Sequence, residues 1–351
     1  MGLRFARAHP LMRKAEDEPA APMTDASLAI KTRKFRDPDL TADGKRRARV
    51  SLERLSTLWI NTGTLCNIAC RNCYIESSPT NDTFVYISRA EAAAFLDEIA
   101  SDGLPVTEIG YTGGEPFLNP DILGMLADAL DRGFSVLVLT NAMQPMLRPR
   151  VRAGLLDLRK AHGDRLTLRV SLDHYTAALH DEERGRGSFA KTLEGIDWLA
   201  EHSFSIALAG RTCWGEADRE TRAGYAALIQ SRSWPIAAER QDALVLFPEM
   251  NAKEEVPEIS DACWGILDVS PCEMMCASSR MIAKRRGDGR PVVLPCTLLT
   301  DLPRFGMGST LAEAASAHGD LFDRGAVKLC HPHCARFCVL GGGSCSAGSP
   351  E

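Results

Sequence analysis

From about residue 55 onward, short apolar runs alternate with stretches whose apolar residues recur at helical spacing. The runs at 58–62, 106–112, 134–140, 166–173, 204–211 and 243–247 read as strands. Between the first two, Ser88-Arg-Ala-Glu91 forms a capping box ahead of Ala92, Phe95, Leu96 and Ile99, which predicts a helix ending near Gly103. Ser188 likewise precedes Phe189, Leu193, Ile196 and Leu199 at helical spacing. Strand, helix and strand repeated at this interval predict parallel strands joined by right-handed crossovers. Six such units predict an α/β fold, a partial (β/α)6 TIM-like barrel rather than a closed eight-stranded one. Residues that act on a ligand then belong at the C-terminal ends of the strands.

The fourth run sharpens this picture. Leu166, Leu168, Val170 and Leu172 alternate with Thr167, Arg169, Ser171 and Asp173, so a period of two gathers the polar set on one face. If the apolar set meets the helices, the polar set lines the barrel lumen and implies a polar ligand inside.

The two ends of the chain break the pattern. Residues 1–50 are rich in Pro, Ala, Asp, Lys and Arg with little apolar periodicity, and are expected to form a disordered polar leader in which Met23 is an alternative start. Residues 51–255 are assigned to the barrel. Residues 256–351 are assigned to a small cysteine-rich C-terminal domain.

Composition excludes several classes. The 351 residues, 45% hydrophobic and 25% charged, suffice for a barrel-sized core plus a smaller unit. No apolar run is long enough to span a bilayer, and no signal-peptide pattern opens the chain, so no membrane partner and a cytoplasmic location are expected. A formal net charge of -5 gives no reason to bind nucleic acid. Twelve cysteines in a reducing compartment argue for metal ligation rather than disulfides.

Their placement points to chemistry. Cys66, Cys70 and Cys73 stand in a C-x3-C-x2-C frame just past the first strand, where three thiolates can hold three corners of a cubane and leave one iron open. Gly113-Gly114-Glu115-Pro116 follows the second strand and Asn141 the third. Glycines admit a close backbone approach and a carboxylate complements an ammonium. Cys213, beside Arg211 just past the fifth strand, is a candidate catalytic thiol facing the substrate, or else a small buried hydrophobe.

These motifs together resemble the radical S-adenosylmethionine (SAM) superfamily, in which an aromatic often follows the last cysteine, as Tyr74 does here. The resemblance implies that Cys66, Cys70 and Cys73 hold a 4Fe-4S cluster whose fourth iron is chelated by the amino and carboxylate groups of SAM. It implies reductive cleavage of SAM to a 5'-deoxyadenosyl radical that abstracts hydrogen from a small-molecule or peptide substrate, with a flavodoxin- or ferredoxin-type electron donor. By the same resemblance Tyr74, Gly113, Gly114, Glu115, Ser171, Asp173 and Arg184 contact SAM, with Arg184 meeting its carboxylate as a two-pronged donor.

Late in the chain, Cys276-x19-Cys296 and Cys330-x3-Cys334-x3-Cys338-x6-Cys345 resemble the SPASM or twitch extensions that carry auxiliary iron-sulfur clusters, although the spacing departs from theirs. With Cys263 and Cys272 these make eight candidate ligands for one or two auxiliary clusters. Zinc is the competing metal for such thiolates. A radical SAM oxidoreductase or transferase is therefore the leading expectation, with a peptide-modifying maturase as its alternative. A non-catalytic zinc or iron-sulfur protein is the remote one.

Overall fold

The computed structural model describes residues 33–248, 255–300 and 303–342. After a short β1 (Arg49–Val50), six strands follow at the predicted places: β2 (Thr57–Asn61), β3 (Glu108–Thr112), β4 (Ser135–Thr140), β5 (Leu166–Ser171), β6 (Ser205–Arg211) and β7 (Leu244–Phe247). They pair in parallel in chain order, with α1 (Arg89–Ser101), α2 (Ile122–Asp131), α3 (Pro149–His162), α4 (Ala177–Arg184), α5 (Ser188–Glu201) and α6 (Asp218–Arg232) in the crossovers.

Local chemistry explains the boundaries. Ser88 accepts from the Glu91 amide and the Glu91 side chain returns to the Ser88 backbone, so both arms of the capping box form. Phe95, Leu96 and Ile99 of α1 are buried, roughly 1.5–3 kcal/mol of transfer free energy each. On β5, Leu166, Leu168 and Val170 are fully buried, and Arg169 is enclosed near Glu108 of β3, as the alternation predicts for a polar lumen.

Two expectations are corrected. The sheet does not end with the sixth parallel strand, because β8 (Ser279–Ala283) pairs in parallel with β2, and β9 (Val292–Leu294) pairs antiparallel with β8. A boundary near residue 255 therefore cuts the sheet. The physical reason is that every residue of β8 is buried, and its Met281 and Ile282 cover the apolar edge of β2. Residues 33–50, assigned to a disordered leader, are also ordered. β1 pairs with β11 (Ala326–Lys328), which pairs with β10 (Phe322–Asp323) in a separate antiparallel sheet. Two arginines of residues 33–50 make internal pairs: Arg47 is fully buried 2.5 Å from Glu258, and Arg49 bridges Asp39 and Asp323. Residues 1–32 and Cys345 lie outside the described residues.

Candidate active site

The cysteine loop leaves the C-terminal end of β2 and is held on two sides. Towards β3, the Gly114 amide donates to Gly63 O (2.8 Å) and the Glu115 amide to Leu65 O (3.1 Å). A Cβ on Gly113 would lie 2.5 Å from Gly63 O, φ there is +136°, and one on Gly114 would collide with Leu65 O. The two glycines thus admit the backbone that leads into the cysteines, where the sequence suggested only a ligand. Towards α4, the Arg71 amide donates to Glu183 O, while the Asn72 amide and side chain donate to both Glu183 carboxylate oxygens at 2.9 Å. Glu183 was not legible as a site residue, although it directly precedes Arg184.

Within the loop the three thiols share one neighbourhood. Burial pushes the Cys66 thiol up to about 12, reinforced by the nearby Glu115, Cys70 and Cys73. Burial also raises Cys70, partly offset by Arg184. Asn141 donates to Cys66 Sγ at 3.9 Å and to Asn67 at 2.8 Å, and the Ser77 amide donates to Cys73 Sγ at 3.3 Å. Amide donors of this kind suit a thiolate. Tyr74 is half-buried against the core.

Glu115 is fully buried, and its oxygens are already engaged. They accept from Thr140 Oγ1 at 2.9 and 3.0 Å, the Asn141 amide at 2.9 Å and the Phe117 amide at 3.2 Å. About four acceptor sites are available on a carboxylate, so Glu115 acts here as a clamp between the rims of β3 and β4. Burial lifts it to about 7 despite these donors.

Past β5, Asp173 and Arg184 form a buried two-pronged pair at 2.7 and 3.0 Å, with Arg211 Nε 3.6 Å from the same carboxylate. Burial alone would raise Asp173, but the two guanidinium groups outweigh it and hold it below the usual carboxylate range. Arg211 also reaches Glu183 at 3.7 Å, and its Nη1 is buried without a protein partner. Ser171 is half-buried at the end of β5. Cys213 and Trp214 line a cleft of about 190 Å3 with Arg71, Asn72, Glu182 and Glu183, which places Cys213 beside the cluster loop on the rim.

His180 completes this wall. Its Nδ1 accepts from the Asp173 amide at 3.2 Å, its Nε2 is buried without a partner, and burial together with Arg184 lowers it to about 4. The folded value lies below the ordinary 6.5, so the unfolded chain binds the proton first. Stability from this group is complete above 6.5 and falls as pH drops towards 4, by roughly 3 kcal/mol in total. Glu115, raised, works in the opposite direction. The readout is therefore a difference: urea unfolding of wild type and His180→Asn between pH 4 and 7 should show a shallower pH slope in the variant, and identical slopes would remove the assignment.

A second cysteine group lies away from this rim. Cys276 is in the short helix Met275–Ser278 before β8, Cys296 follows β9, Cys330 follows β11, and Cys334 opens the π-helix Cys334–Leu340. The Cys334 thiol is pushed well up by burial and then by Cys296, Cys276 and Cys330, which puts these four together. Cys263 instead accepts from Ser260, and Cys272 is exposed. Cys338 follows Cys334 by one turn of the same π-helix. Since β8 and β2 run parallel, Cys276 belongs to the start of that strand pair and Cys66 to its end. Among the described residues no group of three or more His, Cys, Asp or Glu converges on a single metal ion. Both groups consist of thiols, a donor set suited to iron-sulfur ligation, and the ligands of a cubane each hold a different iron.

A partial parallel barrel with a three-thiol loop on its C-terminal rim defines a class of cluster-binding enzyme folds. Residues 60–214, from β2 to just past β6, match the family model described as "Radical SAM superfamily". The chain is 34% identical over 145 residues to the antilisterial bacteriocin subtilosin biosynthesis protein AlbA of Bacillus subtilis, covering 41% of this chain and 30% of that protein. It is 34% identical over 143 residues to the AdoMet-dependent heme synthase of Methanosarcina barkeri (40% and 37%), and 31% identical over 142 residues to the mycofactocin maturase MftC of Mycobacterium ulcerans (40% and 36%). The match thus spans about a third of these relatives' length. Streptococcus suis SuiB bound to S-adenosylmethionine shares the fold at a TM-score of 0.51 and 12% identity, covering 74% of this chain and 62% of that one. No helix among the described residues is long and apolar enough to cross a membrane.

Proposed function

We propose that the chain is a radical SAM enzyme whose substrate is a peptide, bound at the cleft beside Cys213 and Trp214. The observation that carries the chemistry is the meeting of Cys66, Cys70 and Cys73 with Asp173, Arg184 and Arg211 on one rim. When bound there, a reduced 4Fe-4S cluster and SAM supply a 5'-deoxyadenosyl radical that takes a hydrogen atom from the substrate. The chain's own residues set the geometry. Glu183 and the Gly113-Gly114 backbone hold the cysteine loop, Glu115 locks the rims of β3 and β4, and Asp173 orients Arg184. The free Nη1 of Arg211 and the remaining Nη1 of Arg184 are donors suited to a carboxylate such as that of SAM. Cys213 is placed to meet the substrate.

Cys276, Cys296, Cys330 and Cys334 would hold one auxiliary 4Fe-4S cluster in a SPASM- or twitch-like extension. Their place at the other end of the β2–β8 pair favours electron transfer over substrate anchoring. The peptide reading rests on relatives named for bacteriocin biosynthesis and for mycofactocin maturation. A relative named as a heme synthase keeps a small molecule as the second reading. A cytoplasmic location and a flavodoxin- or ferredoxin-type donor complete the proposal, since free thiols and a low-potential cluster both require a reducing environment.

The test is anaerobic reconstitution followed by reduction in the presence of SAM, which should yield 5'-deoxyadenosine and methionine. A Cys66, Cys70 and Cys73 triple alanine variant should retain about four irons per chain, the auxiliary cubane. No product would sink the radical reading, and no residual iron, or zinc in its place, the auxiliary one. A precursor peptide encoded beside the gene should change mass on incubation with the reduced enzyme and SAM. If it does not, and metabolic enzymes surround the gene, the small-molecule reading replaces it.

A further inference from the structure

Arg280, the second residue of β8, is a large buried cation whose hydrogen-bond partners do not account for its charge. It is only 1% exposed. Nη1 donates to Cys276 O at 2.6 Å and Ser279 O at 2.8 Å, Nη2 donates to Gly325 O at 3.0 Å, and Nε is buried with no partner. Among the described residues no carboxylate pairs with it. Arg47, fully buried, and Arg184, nearly so, meet Glu258 and Asp173. Carbonyl groups satisfy N–H donors but cancel no net charge, and an unpaired buried charge costs several kcal/mol. A guanidinium does not escape by losing its proton. The groups able to carry negative charge that act on it electrostatically are the sulfurs of Cys276 and Cys296.

We propose that Arg280 is the built-in counter-charge of the auxiliary cluster and holds its reduction potential up. The inference rests on the auxiliary-cluster reading above. Four thiolates around a cubane leave a net negative site, and adding one electron from a reductant, with no bond made or broken, makes it more negative. A fixed cation in a low-dielectric interior favours that reduced form, because potential follows net charge and burial. Arg47 borders Cys330 as well, but Glu258 neutralises it, so its contribution is far smaller. The position also couples the site to the barrel, since Arg280 stands opposite Leu58 of β2, the strand that leads into Cys66.

The experiment uses the full chain with Cys66, Cys70 and Cys73 replaced by alanine, so that only auxiliary iron remains, and follows its EPR signal in a potentiometric titration. Arg280→Gln should keep about four irons and shift the midpoint negative by at least a tenfold change in the reduction equilibrium, 59 mV for one electron. Arg280→Lys keeps the charge without the full set of carbonyl contacts and should stay near the parent. Full iron with an unchanged potential in Arg280→Gln, or an equal shift in Arg280→Lys, would overturn the proposal. If Arg280→Gln folds but loses iron while Arg280→Lys keeps it, a required positive charge is supported. Loss of iron from both means Arg280 is only structural, and the proposal fails. A parent with no iron defeats the auxiliary-cluster reading itself, and the role of Arg280 with it.

Discussion

Cys70→Ala is expected to abolish 5'-deoxyadenosine formation and to remove about four irons per chain, leaving the auxiliary iron in place. Three thiolates are the fewest that hold a cubane while keeping one iron open, so losing one corner removes the site rather than weakening it. Cys70 is the most telling of the three, because its sulfur lies among Arg184, Asp173 and Cys73, where the cluster loop meets the wall past β5. The backbone of the loop should survive the change. Arg71 and Asn72 stay tied to Glu183, and the Gly114 and Glu115 amides stay on Gly63 and Leu65. Circular dichroism and melting should therefore stay close to wild type while iron and product fall. SAM cleavage at the wild-type rate in Cys70→Ala would refute the assignment, whatever the iron content.

What could be read in the sequence was what local spacing encodes. The six parallel strands were visible because each is a short apolar run between turn residues, and α1 because Ser88 and Glu91 are three residues apart. The cysteine loop was visible for the same reason. β8 was missed because an arginine interrupts Ser279–Ala283, and its burial follows from pairing with the distant β2. The order of residues 33–50 was missed because Arg47 looks like a solvated charge until Glu258 is brought to it from the other end of the chain. Glu115 was read as a ligand group because a carboxylate beside two glycines suggests one; its hydrogen bonds from Thr140 and Asn141 across the rims of β3 and β4 depend on the fold and could not be read. That Cys276 and Cys296 come close to Cys330 and Cys334 could not be read from spacing, which joins the members of each pair but not the two pairs; the fold brings them together.

The second large effect concerns Asp173 and Arg184. Arg184→Met should destabilise the fold by about 3 kcal/mol, the lower end of the range for stranding one partner of a buried pair, because Arg211 still lies 3.6 Å from the Asp173 carboxylate. Asp173→Asn leaves Arg184 with Cys70 and Glu183 nearby and should cost somewhat less. The double variant carries neither buried charge, so its cost should fall well short of the sum of the two, with a coupling of about 1–3 kcal/mol in a double-mutant cycle by urea unfolding. The same pair also makes a functional prediction that stability alone does not. If Asp173 serves to aim Arg184 at the carboxylate of SAM, Asp173→Asn should weaken SAM binding to the reconstituted enzyme although Arg184 remains. Arg184→Lys, which keeps the charge but not the planar fork, should weaken it as well. Calorimetric SAM affinities unchanged in both variants would leave the pair as a structural bridge between β5 and α4, and would pass the carboxylate contact to Arg211.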